Sequence, residues 1–94
     1  MNVEVIKAAS HLAPLKLMAV MRGVRFGVNA FGDIGLSFGA YIAEGVGAPQ
    51  FLPVGLALKA VAAYDVGDTR NLEGKACWVT IEKGVCTFDS PCLI

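Results

Sequence analysis

The chain has 94 residues, of which 55% are hydrophobic and 17% charged, and 8 basic residues balance 8 acidic ones to a formal net charge of zero. This length predicts a single domain over residues 1–94. The composition excludes a disordered charged tail and disfavours a nucleic-acid binder, which needs a basic surplus to neutralise phosphates. So small a domain buries only about 60–65% of its unfolded surface. The apolar surplus therefore predicts a surface that contacts a protein partner or a second copy.

No segment predicts a membrane span, which needs about 20 apolar residues. The best candidate, residues 51–64, is too short and contains Pro53 and Lys59. The N-terminus lacks the basic start of a signal peptide, and Glu4 and Lys7 interrupt its apolar residues. We therefore expect a cytoplasmic protein without a membrane partner.

The first third of the chain predicts strands joined by an ambiguous segment. Residues 3–8 are β-branched and partly alternating, which favours a strand. Residues 12–21 contain helix formers interrupted by Pro14, so they predict either a short helix that ends at Gly23 or a loop. Residues 24–31 alternate with period two and predict a strand whose buried face carries Val24, Phe26, Val28 and Ala30.

The middle of the chain predicts a hairpin, a loop and a helix. Residues 36–42 alternate again after the turn residues Gly32 and Asp33, which predicts an antiparallel hairpin. Residues 44–49 predict a loop. Helical spacing then predicts a main helix over about residues 52–64, with a buried face of Val54, Ala57, Leu58, Val61 and Tyr64 and an opposite face of Gly55, Lys59, Ala62 and Ala63.

The last third predicts a second hairpin, because strands over residues 75–82 and 85–88 flank the two-residue turn Lys83-Gly84. The order of elements predicts an α+β fold. In this fold a mostly antiparallel sheet of four to five strands packs against one main helix.

No enzymatic motif is complete. Gly45-Val46-Gly47 resembles the start of a dinucleotide-binding loop, but Gln50 stands where the third glycine belongs. The Gly74-Lys75 pair lacks the rest of a phosphate-binding loop. We therefore predict a non-enzymatic protein with no catalytic residue and no cofactor.

The three cysteines, Cys77, Cys86 and Cys92, are an odd number without C-x-x-C spacing, and His11 lies far from them. They predict no zinc or other metal site. The expected register of the second hairpin pairs Glu82 with Val85, Ile81 with Cys86 and Cys77 with Ser90. Cys92 then lies diagonal to Cys77, so this pair is the only geometrically plausible disulfide.

Five residues are candidates for contact with a partner. Residues 1–30 hold four basic residues and one acidic residue, a charge of +3, which the rest of the chain offsets. Arg22 and Arg25 belong to this basic part. Tyr41 and Trp78, like Phe31, lie on the less apolar faces of their predicted strands, and aromatic residues are enriched at interface hot spots. The predicted partner-binding residues are therefore Arg22, Arg25, Tyr41, Lys59 and Trp78.

Two segments carry a resemblance to a known family. Residues 36–42, Leu-Ser-Phe-Gly-Ala-Tyr-Ile, resemble the Gly-Phe-Gly-Gly-Tyr strand of a family of small, largely uncharacterised phage and prophage proteins. Residues 72–79, Leu-Glu-Gly-Lys-Ala-Cys-Trp-Val, resemble that family's Leu-x-Gly-Lys-x-x-x-Val segment. Ala40 replaces the second glycine, and the tail after Phe88 diverges. The resemblance implies a phage origin and an α+β fold, and it supplies no catalytic residue.

The resemblance, the small size and the lack of a catalytic motif together lead to an expected function. We expect a phage-encoded protein that binds and inhibits a host protein complex in the host cytoplasm. The expected complex is a bacterial defence system such as a CRISPR effector, and no direct contact with nucleic acid is expected. One alternative is a structural or assembly component of a phage particle that forms homo-oligomers. Another is a redox protein that uses Cys77 and Cys92.

Overall fold

A computed structural model of the chain describes residues 3–43 and 46–92 and has an α+β fold. The described elements follow in this order: α1 (Val3–Leu12), β1 (Leu15–Val28), β2 (Ile34–Ala43), β3 (Val46–Pro53), α2 (Val54–Tyr64), a short 3-10 helix (Thr69–Leu72), β4 (Ala76–Glu82) and β5 (Val85–Pro91). This architecture confirms the predicted fold class, and the main helix begins two residues later than predicted.

The described strands form one antiparallel sheet in the order β3-β2-β1-β4-β5. β1 lies at the centre because β2 pairs with one of its edges and β4 with the other. One face of the sheet, called here the inner face, packs against α2 and the 3-10 helix. The core between these layers contains Ala19, Met21, Leu36, Phe38, Ala40, Leu52, Ala57, Leu72, Cys77 and Val79.

The sheet curls until its edge strands, β3 and β5, approach each other. Gln50 on β3 bridges the gap between them. Its Nε2 donates to the carbonyl of Cys86 at 2.8 Å, and its Oε1 accepts from the N–H of Phe88 at 3.1 Å. Beside this bridge the rings of Phe38 and Phe88 meet edge to face, with centroids 6.0 Å apart. The sheet is therefore closed at the level of Gln50 by one side chain.

The strand predicted for residues 3–8 is wrong, because these residues belong to α1. The β-branched residues suggested a strand, but the buried positions Ile6 and Ser10 lie four residues apart, on one helix face. Ser10 fixes the helix to the β4–β5 turn. Its hydroxyl accepts from the N–H of Gly84 at 2.9 Å and donates to the carbonyl of Lys7 at 2.7 Å. This contact joins residues 74 positions apart.

Two further segments differ from the prediction because both are strands. Residues 15–21, for which a helix or a loop was predicted, lie in β1 and alternate between the inner face and the opposite face. Residues 46–49 of the predicted loop lie in β3, and residues 44–45 fall outside the described residues. Gly47 and Pro49 favoured a loop here, but a proline is tolerated in an edge strand because its missing N–H would face away from the ladder.

Both predicted hairpins are confirmed. The β4–β5 turn has positive φ at Lys83 and Gly84, 51° and 79°, as a two-residue hairpin turn requires. Glu82 pairs with Val85 and Ile81 with Cys86 as predicted. An irregularity between Trp78 and Val79 shifts the register, so that Cys77 pairs with Pro91 and not with Ser90. All three cysteines are free.

The buried face of α2 is rotated relative to the prediction. Ala57 and Ala60 are buried, with Val61 and Tyr64 partly buried, whereas Leu58 is exposed. Val54, also predicted on the buried face, is 43% exposed, whereas Ala60, which helical spacing had not selected, is buried. The alanines let the helix approach the sheet closely.

Candidate binding surfaces

The outer ends of β1 and β2 form a projection, called here the hairpin arm and comprising residues 24–34. β4 pairs with residues 15–20 of β1, and Gly74 and Lys75 just before β4 still bond to the backbone of Met21. Beyond Met21 the backbone ladder of β1 runs along β2 alone. The arm therefore extends beyond the sheet that supports its base.

A bulge at Gly23 marks the base of the arm. The pairing of β1 with β2 shifts register between Arg22 and Arg25, and Gly23 has a φ of +64°. The carboxylate of Glu73 accepts from the N–H of Gly23 at 3.1 Å and from the N–H of Val24 at 2.9 Å. Because a bulge leaves donors without a partner in the ladder, this carboxylate satisfies both of them.

The arm exposes four large apolar side chains. The exposed fractions are 46% for Phe26, 68% for Val28, 90% for Phe31 and 55% for Ile34. The prediction that Phe26 and Val28 lie on a buried face is therefore wrong. These residues do alternate between two faces of the strand, but neither described helix covers the face on which Phe26 and Val28 lie.

The tip of the arm is ordered by Asn29. Its Oδ1 accepts from the N–H groups of Phe31 and Asp33, both at 2.9 Å. The backbone N–H of Asn29 donates to the carbonyl of Asp33 at 2.9 Å, and Gly32 supplies the positive φ of 86°. The turn thus fixes the backbone on either side of Phe31, whose side chain points into solvent.

Four of the five predicted contact residues lie on the face of the sheet opposite the core, called here the outer face. The cross-strand pairs place Arg22 opposite Gly39, Arg25 opposite Ser37, Tyr41 opposite Val20, and Trp78 opposite Met18. The fifth residue, Lys59, is exposed on α2 in the other layer of the fold. The structure therefore brings four candidates to one surface and separates the fifth from them.

Tyr41 lies flat on the outer face. A Cβ added to Gly47 would lie 2.8–2.9 Å from three of its ring atoms, and one added to Gly39 would lie 2.8 Å from the ring. Glycine is therefore needed at both positions for the ring to lie against the backbone. One face of the ring covers the glycines, while 39% of the residue stays exposed.

A shallow groove connects Tyr41 with the arm. Its volume is about 580 Å³, and its lining includes Phe31 from the tip of the arm and Pro49 and Phe51 from β3. Phe31 at the tip of the arm and Tyr41 on the outer face thus line one groove.

The cations of the outer face differ in their partners. Lys16 forms a salt bridge to Asp89 at 3.5 Å, and its Nζ lies 5.4 Å from the centre of the Trp78 ring. Arg22 and Arg25 are exposed and form no ion pair with any residue in the described part of the chain. Their guanidinium groups flank the bulge and place positive charge at the base of the arm.

Within residues 3–43 and 46–92, no group of three or more His, Cys, Asp or Glu side chains is arranged to hold a metal ion. Burial raises the pKa of the Cys77 thiol to about 11, and it also raises the pKa of Cys86. A buried thiol with a raised pKa is a poor nucleophile at neutral pH, because the thiolate is the reactive form.

Neither helix in the described ranges is long and apolar enough to cross a membrane. Comparison with known proteins found no matching family model, and neither a curated protein nor a solved structure is significantly similar to this chain. The fold thus defines the class of the protein, a small α+β domain with a curled antiparallel sheet.

Sequence reasoning missed the apolar part of this surface, namely Phe26, Val28 and Ile34. It also missed the carboxylate of Glu73 that holds the base of the arm. One signal was present in the sequence, because Gly23 interrupts an alternating stretch, and an isolated glycine in a strand often marks a bulge. No local signal connects that glycine with Glu73, which lies 50 positions away.

Proposed function

We propose that this chain is a non-enzymatic binding module that docks onto another protein through the hairpin arm. The observation that carries the proposal is the exposure of Phe26, Val28, Phe31 and Ile34 on one projection. Single exposed apolar residues are ordinary on protein surfaces, but several together are typical of an interaction site. An ordered tip favours binding further, because less conformational entropy is lost on docking.

The proposed interface has an apolar centre and a basic rim. Phe26, Val28 and Ile34 lie on the side of the arm that continues the inner face, since Phe26 pairs with the core residue Leu36. Arg22, Arg25 and Tyr41 lie on the outer face near the base of the arm, so a partner that contacts both sets would enclose the arm. Interfaces commonly combine a desolvated apolar centre with a polar rim. The exposed guanidinium groups, which form no ion pair with a described residue, would favour a partner that presents acidic residues around an apolar depression.

The partner class that we propose is a host defence complex of bacteria, with CRISPR effector complexes as the first to be tested. The support for this class is the resemblance of residues 36–42 and 72–79 to small phage proteins, together with the small size of the chain. In this role the protein would inhibit the complex by occupying its surface.

The test compares wild type with a double arm variant, Val28→Ser/Phe31→Ser, and with a matched variant on α2, Leu58→Ser, whose position is 59% exposed. Each protein is tested for binding to purified CRISPR effector complexes and for restoring phage plating on an immune host. Wild type and Leu58→Ser should bind and restore plating. The arm variant should bind about 10- to 100-fold more weakly, as expected when two hot-spot side chains are truncated.

Two results would contradict the proposal. In the first, wild type neither binds any effector complex nor changes phage plating, which would remove the proposed partner class. In the second, the arm variant binds as tightly as wild type, which would remove the arm as the docking surface.

A second candidate function, a self-assembling particle component, has its own structural support. Leu58 is 59% exposed on α2, on the same helix face as the small residues Gly55 and Ala62. Small residues allow helices to approach closely, so two copies could pack through this face. If wild type sediments as an oligomer that Leu58→Ser dissociates and the arm variant does not, this function replaces the first.

A further inference from the structure

An apolar pocket opens at the end of the sheet where α1 lies. Gln50 closes the sheet at the level of Phe88, but the next inward-facing residues, Ala48 on β3 and Cys86 on β5, line an opening between the two edge strands. The pocket has a volume of about 310 Å³. It opens on the inner side of β3, and Gly47 and Ala48 line both this pocket and the groove beside Tyr41.

The pocket exists because the side chains at this level are small. Ala40 and Ala48 are cross-strand neighbours on β2 and β3, and both line the pocket. At the next inward-facing pair of these strands, Phe38 and Gln50, larger side chains fill the corresponding space. Ile6 of α1 contributes to the wall on the side of the helix.

The lining is apolar except at one point. Lys7 is the only charged residue that lines the pocket among the residues the structure describes, and its side chain is exposed. The thiol of Cys86 also lines the pocket, and its pKa is raised by burial. Among the described residues, the lining is thus apolar with one cation.

The geometry points to a binding site for a small amphiphile, with its apolar body between α1 and the edge strands and its anionic head group at Lys7. A dry apolar cavity of about 150 Å³ suffices to bind benzene, so this pocket has room for a chain of roughly ten carbon atoms. Its volume is at the lower limit of small-molecule pockets, about 300–1,000 Å³. This site is separate from the hairpin arm and does not depend on the partner proposed above.

Sodium decanoate below its micelle concentration is the probe. Binding is measured by calorimetry and by the rate at which iodoacetamide alkylates Cys86, followed by mass spectrometry of that residue. We expect saturable binding that slows alkylation of Cys86 about fivefold or more, because the chain covers a thiol that lines the pocket.

Two variants and one matched control locate the site. Ala48→Leu fills the pocket and should abolish decanoate binding. Ala63→Leu is the matched control because Ala63 lines a different groove, between α2 and β5, and it should bind as wild type does. Lys7→Gln should weaken decanoate about tenfold, as expected for loss of one charge-assisted contact, and should leave decan-1-ol unaffected.

Three outcomes would overturn the proposal. They are the absence of saturable decanoate binding to wild type, undiminished binding to a folded Ala48→Leu variant, and equal affinity for decanoate and the decyltrimethylammonium cation. The protection of Cys86 is measured on wild type, so the test does not depend on the folding of any variant. The hairpin arm is unchanged throughout, so failure here would leave the docking proposal standing.

Discussion

The side chain of Gln50 makes the two hydrogen bonds to the edge of β5 that a neighbouring strand would otherwise make. An amide side chain carries one donor group and one acceptor, and here both face the free edge of β5 at Cys86 and Phe88. A neighbouring strand would offer the same two groups. The residue thereby blocks part of an edge that could otherwise pair with another chain.

Gln50→Glu tests this bridge. The carboxylate cannot donate to the carbonyl of Cys86 and would instead face it with negative charge. We expect the free energy of unfolding to fall by about 1–3 kcal/mol, measured by urea denaturation. Thr87→Ala is the control, because its hydroxyl makes only a long, exposed contact of 3.4 Å to Thr80. A loss no larger than that of the control would show that Gln50 does not hold the edges together.

Because of Cys77, the free energy of unfolding depends on pH in the alkaline range. Burial raises its pKa to about 11, with smaller contributions from Cys86 and Cys92. In the unfolded chain a thiol titrates near pH 8.5. Between these values the folded state keeps a proton that the unfolded state releases, so stability is full below about pH 8 and falls as pH rises toward 11.

Cys77→Ala removes this titration. We expect the free energy of unfolding of wild type to decrease more between pH 8 and pH 10.5 than that of the variant, when both are measured by urea denaturation. The titratable groups that the two proteins share contribute equally to both decreases, so their contribution cancels in the comparison. Equal decreases in the two proteins would contradict a buried thiol with a raised pKa.

At the scale of single elements, α1 depends on its contact with the β4–β5 turn. Ser10 is only 1% exposed, and its backbone carbonyl also accepts from the N–H of Lys83 at 3.1 Å. The hydroxyl and the carbonyl of one residue thus bind two successive N–H groups of the turn, those of Lys83 and Gly84. The end of the helix and the turn therefore form one unit.

Ser10→Ala should loosen this unit. Loss of the hydroxyl leaves the N–H of Gly84 without its acceptor, at a cost of about 1–3 kcal/mol. Hydrogen exchange at Gly84 should become faster, and urea denaturation should show the lower stability. His11→Ala changes an exposed neighbour and should stay within about 0.5 kcal/mol of wild type. Unchanged exchange at Gly84 in Ser10→Ala would refute the contact.

The hairpin arm depends on the carboxylate at its base. Glu73→Ala leaves the N–H groups of Gly23 and Val24 to water, at a cost of about 1–2 kcal/mol because the contacts are charge-assisted but exposed. Hydrogen exchange at these two amides should become faster, which NMR measures residue by residue. Glu82→Ala, at an exposed strand end, should leave both amides as they are. Protection that persists in Glu73→Ala would mean that the bulge is stable without its carboxylate.

At the scale of the whole molecule, a net charge of zero conceals an uneven distribution. Arg22 and Arg25 share the outer face near the arm, while Lys59 lies in the other layer. The apolar surplus is also uneven. Part of it fills the core between the sheet and its helices, and part remains exposed at the arm and on α2.

Much of the fold could be predicted from local patterns. The turn at Lys83-Gly84 followed from two adjacent residues, and the main helix from its spacing of small and apolar residues. α1 was missed because the β-branched residues at its start favour a strand locally. Its contact through Ser10 favours a helix only once the β4–β5 turn is in place.

The candidate surface was predictable only in part. Tyr41 and Arg25 could be selected as outward-facing because strand residues alternate between two faces. Phe26 and Val28 could not, because alternation shows which side chains share a face and not whether another element covers it.

By itself, then, the sequence determined the antiparallel hairpins, the main helix and the α+β class, since these depend on dihedral preferences and periodicities within a few residues. Tertiary structure alone decided which faces are covered, where the sheet closes and which apolar residues stay in solvent. The contacts responsible join distant positions, with separations of 38 residues for Gln50 and Phe88, 49 for Glu73 and Val24, and 74 for Ser10 and Gly84. Burial and edge closure depend on such pairs, which no local pattern encodes.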